Sequence, residues 1–197
     1  MNLTNEYYYF TEAIDKKTCN KIMKTGGKDF GEAVVGHGGE SIVDKEVRTS
    51  KTAWSNDQWI YDLIWPYMEE ANAQAAWEYD IKAAESVQIT RYEKGGFYTF
   101  HKDGKSDNLG AYNEPQNKFR HGNVRKLSMS IILNDDYEGG GFEFATLDKE
   151  TSNIYTPDFN KLGSIMVFPS FMTHRVKPVT KGTRYSAVSW FLGPPFK

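Results

Sequence analysis

This chain of 197 residues predicts a mainly β fold with helices laid against one face, on three observations. First, hydrophobicity alternates with period two from residue 85 onward: Val87, Ile89 and Arg91 alternate with Gln88, Thr90 and Tyr92. Leu127, Met129, Ile131 and Leu133 likewise alternate with Ser128, Ser130 and Ile132, as strands do when successive side chains point to opposite faces. Second, short strand-like runs follow at Gly163 to Phe168, His174 to Val176 and Tyr185 to Leu192, punctuated by glycine. Third, 15% of residues are aromatic, and rings suit pleated, half-buried surfaces. Many short strands separated by turns argue for a sandwich or barrel.

The helices belong to the first 84 residues. Asp15 is placed to cap a helix carrying Cys19, Ile22 and Met23, which Gly26-Gly27 would end. Ser55-Asn56-Asp57-Gln58 has the form of a capping box. Ile60, Leu63, Ile64, Tyr67, Met68 and Ala71 follow it at helical spacing, with Pro66 expected to bend or restart the helix. Glu69-Glu70 reads as a solvated face. Residues 36 to 47, Gly-rich and polar, read as a mobile loop in which His37 is a solvated residue rather than a ligand. Gly139-Gly140-Gly141 reads as a turn or bulge joining two pairing strands, and no Lys-Ser/Thr follows to make it a phosphate loop. The polar stretch 104 to 124 reads as a functional loop or local disorder, with His121 on its surface.

Composition bounds the function. No repeat or linker divides the chain, so a single domain over 1-197 is expected, with a helical and strand part over 1-84 and a β core over about 85-193. The net charge of −2, with scattered basic residues, gives no footprint for nucleic acid. The lone cysteine, Cys19, excludes an internal disulfide and a multi-cysteine zinc site. The amino terminus lacks the charged start and apolar run of a secretory signal, and no apolar stretch spans a bilayer. A soluble cytoplasmic protein, with neither a membrane nor a nucleic acid as partner, is expected.

The chemistry is carried by His101 and Asp103. On an extended strand residues i and i+2 share a face, so both can reach one metal ion. His174, arriving from a distant strand, completes two imidazoles and a carboxylate, a set suited to iron(II) with open positions. Three protein ligands leave three positions, two for a chelating 2-oxo acid and one for O2. The far carboxylate of that acid needs a buried partner, and a guanidinium meets it with two parallel hydrogen bonds. Arg184 opens the strand after the one bearing His174, so adjacent strands would present both into one cavity. Ser186, two residues on, projects from the same face as Arg184. A hydrolytic zinc enzyme would use the same ligands but leave Arg184 without a task.

These residues, with their flanks, resemble the Fe(II)/2-oxoglutarate-dependent dioxygenase superfamily, in particular its prolyl 4-hydroxylase-type branch. The likeness is carried by Arg48-Thr49-Ser50, by Arg91 to Tyr98 leading into His101-x-Asp103, and by Leu127 to Asn134. It continues through Tyr137-Glu138-Gly139-Gly140 with Phe142-Glu143-Phe144, and through His174-Arg175-Val176-x-Pro178-Val179-x-x-Gly182-x-Arg184. It runs from about residue 48 to 192. The resemblance implies a double-stranded β-helix (jelly roll) with N-terminal helices packed on one sheet. It further implies decarboxylation of 2-oxoglutarate to succinate and CO2, coupled to hydroxylation of a C–H bond, with ascorbate keeping iron reduced. By position it makes His101, Asp103 and His174 the metal ligands and Arg184 the 2-oxoglutarate anchor. Tyr92 and Tyr98 would face the same pocket, with Trp190 packed beside it.

Two departures bear on the substrate. Many members of the collagen-type branch carry lysine where this chain has Arg184; arginine keeps the charge and adds a fork. The stretch 104 to 124 follows Asp103 where substrate would approach, which weakens the transfer of proline. The expected substrate is a peptidyl residue, proline first. The alternatives are a free amino acid or other small molecule, or a non-catalytic jelly roll that binds metal for stability. A long groove lined by aromatic rings would favour a peptide, and a closed pocket with a paired acid and base a small molecule. The sequence does not name the substrate-binding residues or the oligomeric state.

Overall fold

Two antiparallel sheets face each other, and helices cover the outer side of the larger. The structure, a computed structural model, describes residues 5–27, 30–37, 40–104, 110–147 and 152–196, and the His37 side chain lies outside what is described. The larger sheet has eight strands. Its order is Tyr8–Phe10, Ile165–Pro169, Val124–Ile132, Arg184–Gly193, Val87–Tyr92, Lys51–Ser55 and Gly31–Glu32, with Ala83–Ala84 also paired to Arg184–Gly193. The smaller has five: Ser152–Tyr155, Phe142–Leu147, Thr173–Val176, Phe97–His101 and Arg48–Thr49. Together they form the jelly roll.

Strand parity divides the apolar residues between two cores. Leu127, Met129, Ile131, Ile165, Val167 and Ile89 point outward and pack under the helices Lys16–Thr25 and Gln58–Gln74, against Cys19, Ile22, Ile60, Ile64 and Met68. Met166, Phe168 and Ile132, one residue out of phase, point inward to meet Phe142, Phe144 and Val176 of the smaller sheet. Ile165–Pro169 is therefore buried on both faces and apolar throughout. Cys19 is fully buried, and burial pushes its thiol up to about 11, which leaves it protonated and unreactive.

Asp15 caps the first helix, its Oδ1 accepting from the Thr18 N–H at 2.7 Å. The second helix differs from expectation in two ways. It starts after Asp57, which makes no side-chain cap bond, because Ser55 is the last residue of the strand Lys51–Ser55 and accepts from the Asp57 N–H. It also runs through Pro66 without a break. Glu69 and Glu70 are exposed, as expected of a solvated face.

Three connections depart from the sequence reading as well. Within the stretch 36 to 47 read as a loop, Glu40–Ile42 is a strand paired antiparallel with Val35–His37. The glycines at 139 to 141 do not join pairing strands. Glu138–Gly139 instead pairs with Val179–Lys181 in a separate two-stranded ladder with a register shift between Glu138 and Gly139, and Phe142–Leu147 pairs with Ser152–Tyr155 and Thr173–Val176 in the smaller sheet. Nor are the strands of His174 and Arg184 neighbours, since they lie in opposite sheets with Val179–Lys181 between them in sequence.

Gly163 fixes the amino-terminal segment to the larger sheet. It sits at φ +75°, donates its N–H to the Ile132 carbonyl and accepts from the Ile14 N–H. A Cβ there would clash with the Ile14 carbonyl oxygen. Gly163→Ala is expected to cost about 2 kcal/mol or more, a drop of about 5 °C in Tm on thermal melting.

Candidate metal and cosubstrate site

The two histidines are cross-strand partners. His101, last residue of Phe97–His101, lies opposite His174 of Thr173–Val176 in the antiparallel register, so the rings sit 4.2 Å apart. Tyr98 stacks on His101 and Phe142 on His174, which fixes both ring planes. His101 Nδ1 lies 2.8 Å from the Thr99 carbonyl and His174 Nδ1 2.9 Å from that of Met172. A carbonyl oxygen only accepts, so each Nδ1 carries a proton and Nε2 is the ring nitrogen turned toward Asp103.

Asp103 meets them from beyond the strand. The expectation that His101 and Asp103 share one strand face fails, because the strand ends at His101 and Asp103 lies past it. Its Oδ1 is 3.8 Å from His101 Nε2 and its Oδ2 3.6 Å from His174 Nε2. The three donor atoms lie within 4.8 Å of one another. Burial, with the neighbouring His174, pushes His101 down to about 3, so the imidazole is neutral near pH 7. For Asp103, burial acts to raise the pKa but is outweighed by the two imidazoles, Arg125 and the Ser128 hydrogen bond, which bring it to about 2. Two imidazole nitrogens and an ionised carboxylate thus converge on one point. A divalent cation satisfies that arrangement, and the nitrogen and oxygen donors fit iron(II).

Across the cavity, Arg184 lies opposite Tyr92 in the larger sheet, and Ser186 opposite Thr90. Arg184 is 1% exposed. Its Nη1 donates to Ser186 Oγ at 3.0 Å, its guanidinium lies over the Tyr92 ring, and its Nε has no partner. No carboxylate pairs with it among the described residues. A buried guanidinium without a counter-ion is costly, and an anionic group in the cavity would supply one. Gly140, at φ +62°, makes room for it, since a Cβ there would come within 2.8 Å of Arg184 Cδ.

One cavity of about 1460 Å³ joins these groups. His101, Asp103, His174, Tyr92, Tyr98, Arg184, Ser186 and Trp190, all singled out from sequence, line it. Its volume exceeds the several hundred Å³ that one small ligand needs. The polar half of the strand alternation, Ser130, Ser186 and Gln88, faces this cavity rather than solvent.

Sequence reasoning missed the wall that faces substrate. Arg125 forms a two-point ion pair with Glu85, at 2.8 and 2.6 Å, and lies over the Trp190 ring at 3.9 Å. By parity Arg125 belongs with Leu127 on the helix side, but the register shifts between them, and the extra residue, Lys126, turns Arg125 inward. Residues 110 to 123 are ordered against the same wall; 105 to 109 lie outside the described residues. Tyr112 bridges to His121, which is exposed, and Arg120 lies over the Tyr112 ring while pairing with Glu114 at 3.1 Å. The signal in the sequence was four charged residues, Glu85, Glu114, Arg120 and Arg125, flanking strands otherwise read as core.

Comparison with known proteins agrees with this geometry. Residues 87–192 match the model of the 2OG-Fe(II) oxygenase superfamily, more than half of the chain. The chain belongs to that superfamily. A PKHD-type hydroxylase of Gloeothece citriformis is 37% identical over 105 residues, 53% of this chain and 41% of the relative. The chain spans less than half the length of the first curated relatives it matches. Among solved structures, the viral collagen prolyl hydroxylase of Paramecium Bursaria Chlorella virus-1, in its 2OG complex, superposes with a TM-score of 0.65 at 19% identity, covering 96% of this chain and 97% of that one. A Trichoplax adhaerens prolyl hydroxylase, in complex with a hypoxia inducible factor oxygen degradation domain peptide fragment, gives 0.65 at 15% identity, covering 95% and 84%. At these identities the structural likeness shows the fold. No helix among the described residues is long and apolar enough to cross a membrane.

Proposed function

We propose that the chain is an iron(II)- and 2-oxoglutarate-dependent hydroxylase acting on a peptidyl residue, with proline first among candidates. The observation that carries this reading is Arg184, buried without a counter-ion in the same cavity as the converged His101, Asp103 and His174 donors. In this reading those three residues hold the metal by one face. Arg184 and Ser186 bind the distal carboxylate of 2-oxoglutarate, with Tyr92 and Tyr98 packed beside it. Iron(II), when bound with 2-oxoglutarate and O2, supplies the oxidising power: one oxygen atom enters a substrate C–H bond and the other leaves in succinate, with CO2 released. Trp190 and Arg125 form the wall beside which the reacting residue sits, and the apolar Phe142 and Phe168 exclude water behind His174.

A peptide is favoured over a free amino acid for two reasons. Trp54 and Phe119, both more than half exposed, line the mouth with Tyr112 and Trp190. The collagen prolyl hydroxylase and the peptide-bound prolyl hydroxylase among the structural neighbours point the same way.

The test is turnover of 2-oxoglutarate by the purified protein with iron(II) and ascorbate, across proline-containing peptides. Succinate is expected in step with a peptide product heavier by one oxygen atom. A gain of oxygen on free amino acids but not peptides would move the substrate class. Absence of any succinate would refute the enzyme reading and favour a metal-binding jelly roll.

A further inference from the structure

Because its strand stops at His101, Asp103 is not held in place by strand pairing. Its position is set by the opposite sheet. The Asp103 N–H donates to the Ser170 carbonyl at 2.9 Å. Ser128 Oγ donates to Asp103 Oδ2 at 2.7 Å, and Ser170 Oγ lies 2.9 Å from Ser128 Oγ. The direction of this chain follows from proton count. An ionised carboxylate only accepts, so the one hydroxyl proton of Ser128 is committed to Asp103. The contact between the serines is then Ser170 O–H donating to Ser128. Both serines are 0% exposed, so water does not stand in for either bond. Ser170 is itself tied down, its N–H donating to the Lys126 carbonyl at 3.0 Å, at the same bulge that turns Arg125 inward.

We infer that Ser128 and Ser170 are positioning residues for the metal centre. They form a directed relay from the larger sheet that holds Asp103 Oδ2 and leaves Oδ1, which accepts no hydrogen bond among the described residues, turned toward His101. The inference rests on the reading of His101, Asp103 and His174 as metal ligands. It assigns a task to two serines that sequence parity marks only as the polar half of a strand and a turn residue. It also explains how a ligand beyond the end of its strand is held: backbone and carboxylate are each fixed by one bond, one from Ser128 within a strand and one from Ser170 just past the end of its neighbour.

The test is calorimetric titration of Mn(II), which resists air oxidation, into the metal-free full chain. Ser128→Ala is expected to weaken Mn(II) binding about tenfold or more, and Ser170→Ala to weaken it less. The double variant is expected to bind no more weakly than Ser128→Ala alone, since the Ser170 hydroxyl acts through Ser128; independent packing damage would instead add. Thermal melts of the metal-free proteins establish that each variant is folded. Should Ser128→Ala not fold, folded Ser170→Ala with wild-type affinity overturns the relay. Unchanged affinity in Ser128→Ala, or additive losses in the double variant, also overturns it. A wild-type chain that binds no Mn(II) overturns the metal-centre reading, and the relay with it.

Discussion

Asp103→Ala is expected to weaken metal binding by more than about 100-fold, beyond the loss typical of a ligand's outer partners, and to abolish 2-oxoglutarate turnover. The reason is electrostatic as well as geometric. Asp103 is the one carboxylate among the three donors, and His101 beside it is held neutral. Without the carboxylate, two imidazoles 4.2 Å apart would have to hold a dication alone. Asp103→Asn keeps the shape but not the charge, and is expected to lose most of the same affinity. The measurement is Mn(II) titration alongside succinate release. Wild-type metal affinity in Asp103→Ala would remove Asp103 from the site.

Arg184→Ala is expected to have the second largest effect, on a different quantity. Truncating one partner of a buried, hydrogen-bonded charge pair costs about 2–5 kcal/mol, so the KM for 2-oxoglutarate should rise about 30-fold or more. Arg184→Lys keeps the charge but not the fork, and should fall between wild type and Arg184→Ala. Affinity for Mn(II) should change little, because Arg184 and the donors stand on opposite sheets. Equal loss of metal and cosubstrate binding would contradict the separate roles given to them.

Much of the fold was legible because its strands have two distinct faces. Val87 to Tyr92 and Leu127 to Leu133 alternate cleanly, since one face of each packs under the helices. The polar face was harder to interpret: Ser186 was placed beside Arg184 from sequence, but Ser128 and Ser130 were given no task, and both are buried between the sheets. A single strand pattern does not tell water from a polar cavity. Ser55 to Gln58 misled for a related reason. The spacing of a capping box was present, but Ser55 pairs with Val87 in the larger sheet, and tertiary pairing took precedence over the local motif.

The candidate site was legible in its members and not in its construction. His101, Asp103, His174 and Arg184 do line one cavity. The direct pairing of His101 with His174, and of Arg184 with Tyr92, depends on register between segments distant in sequence. So does the pairing of Glu138–Gly139 with Val179–Lys181. Arg125 escaped notice because one extra residue, Lys126, reverses the parity on which strand reading depends. The stretch 104 to 124 was read as a functional loop or local disorder from its polarity, and its described part, 110 to 123, is a loop. Its order comes from Arg120, Tyr112 and Glu114 contacting one another beside Glu85, which composition does not show.

The central claim is that one cavity holds a metal on one sheet and the 2-oxo acid it chelates on the other. The most direct measurement is 2-oxoglutarate binding by calorimetry under anaerobic conditions, with and without iron(II). Binding is expected to be at least about tenfold tighter with iron(II) present, because the metal adds a chelate to the hydrogen bonds from Arg184. The same 2-oxoglutarate affinity with and without iron(II), or none in either case, would contradict the account.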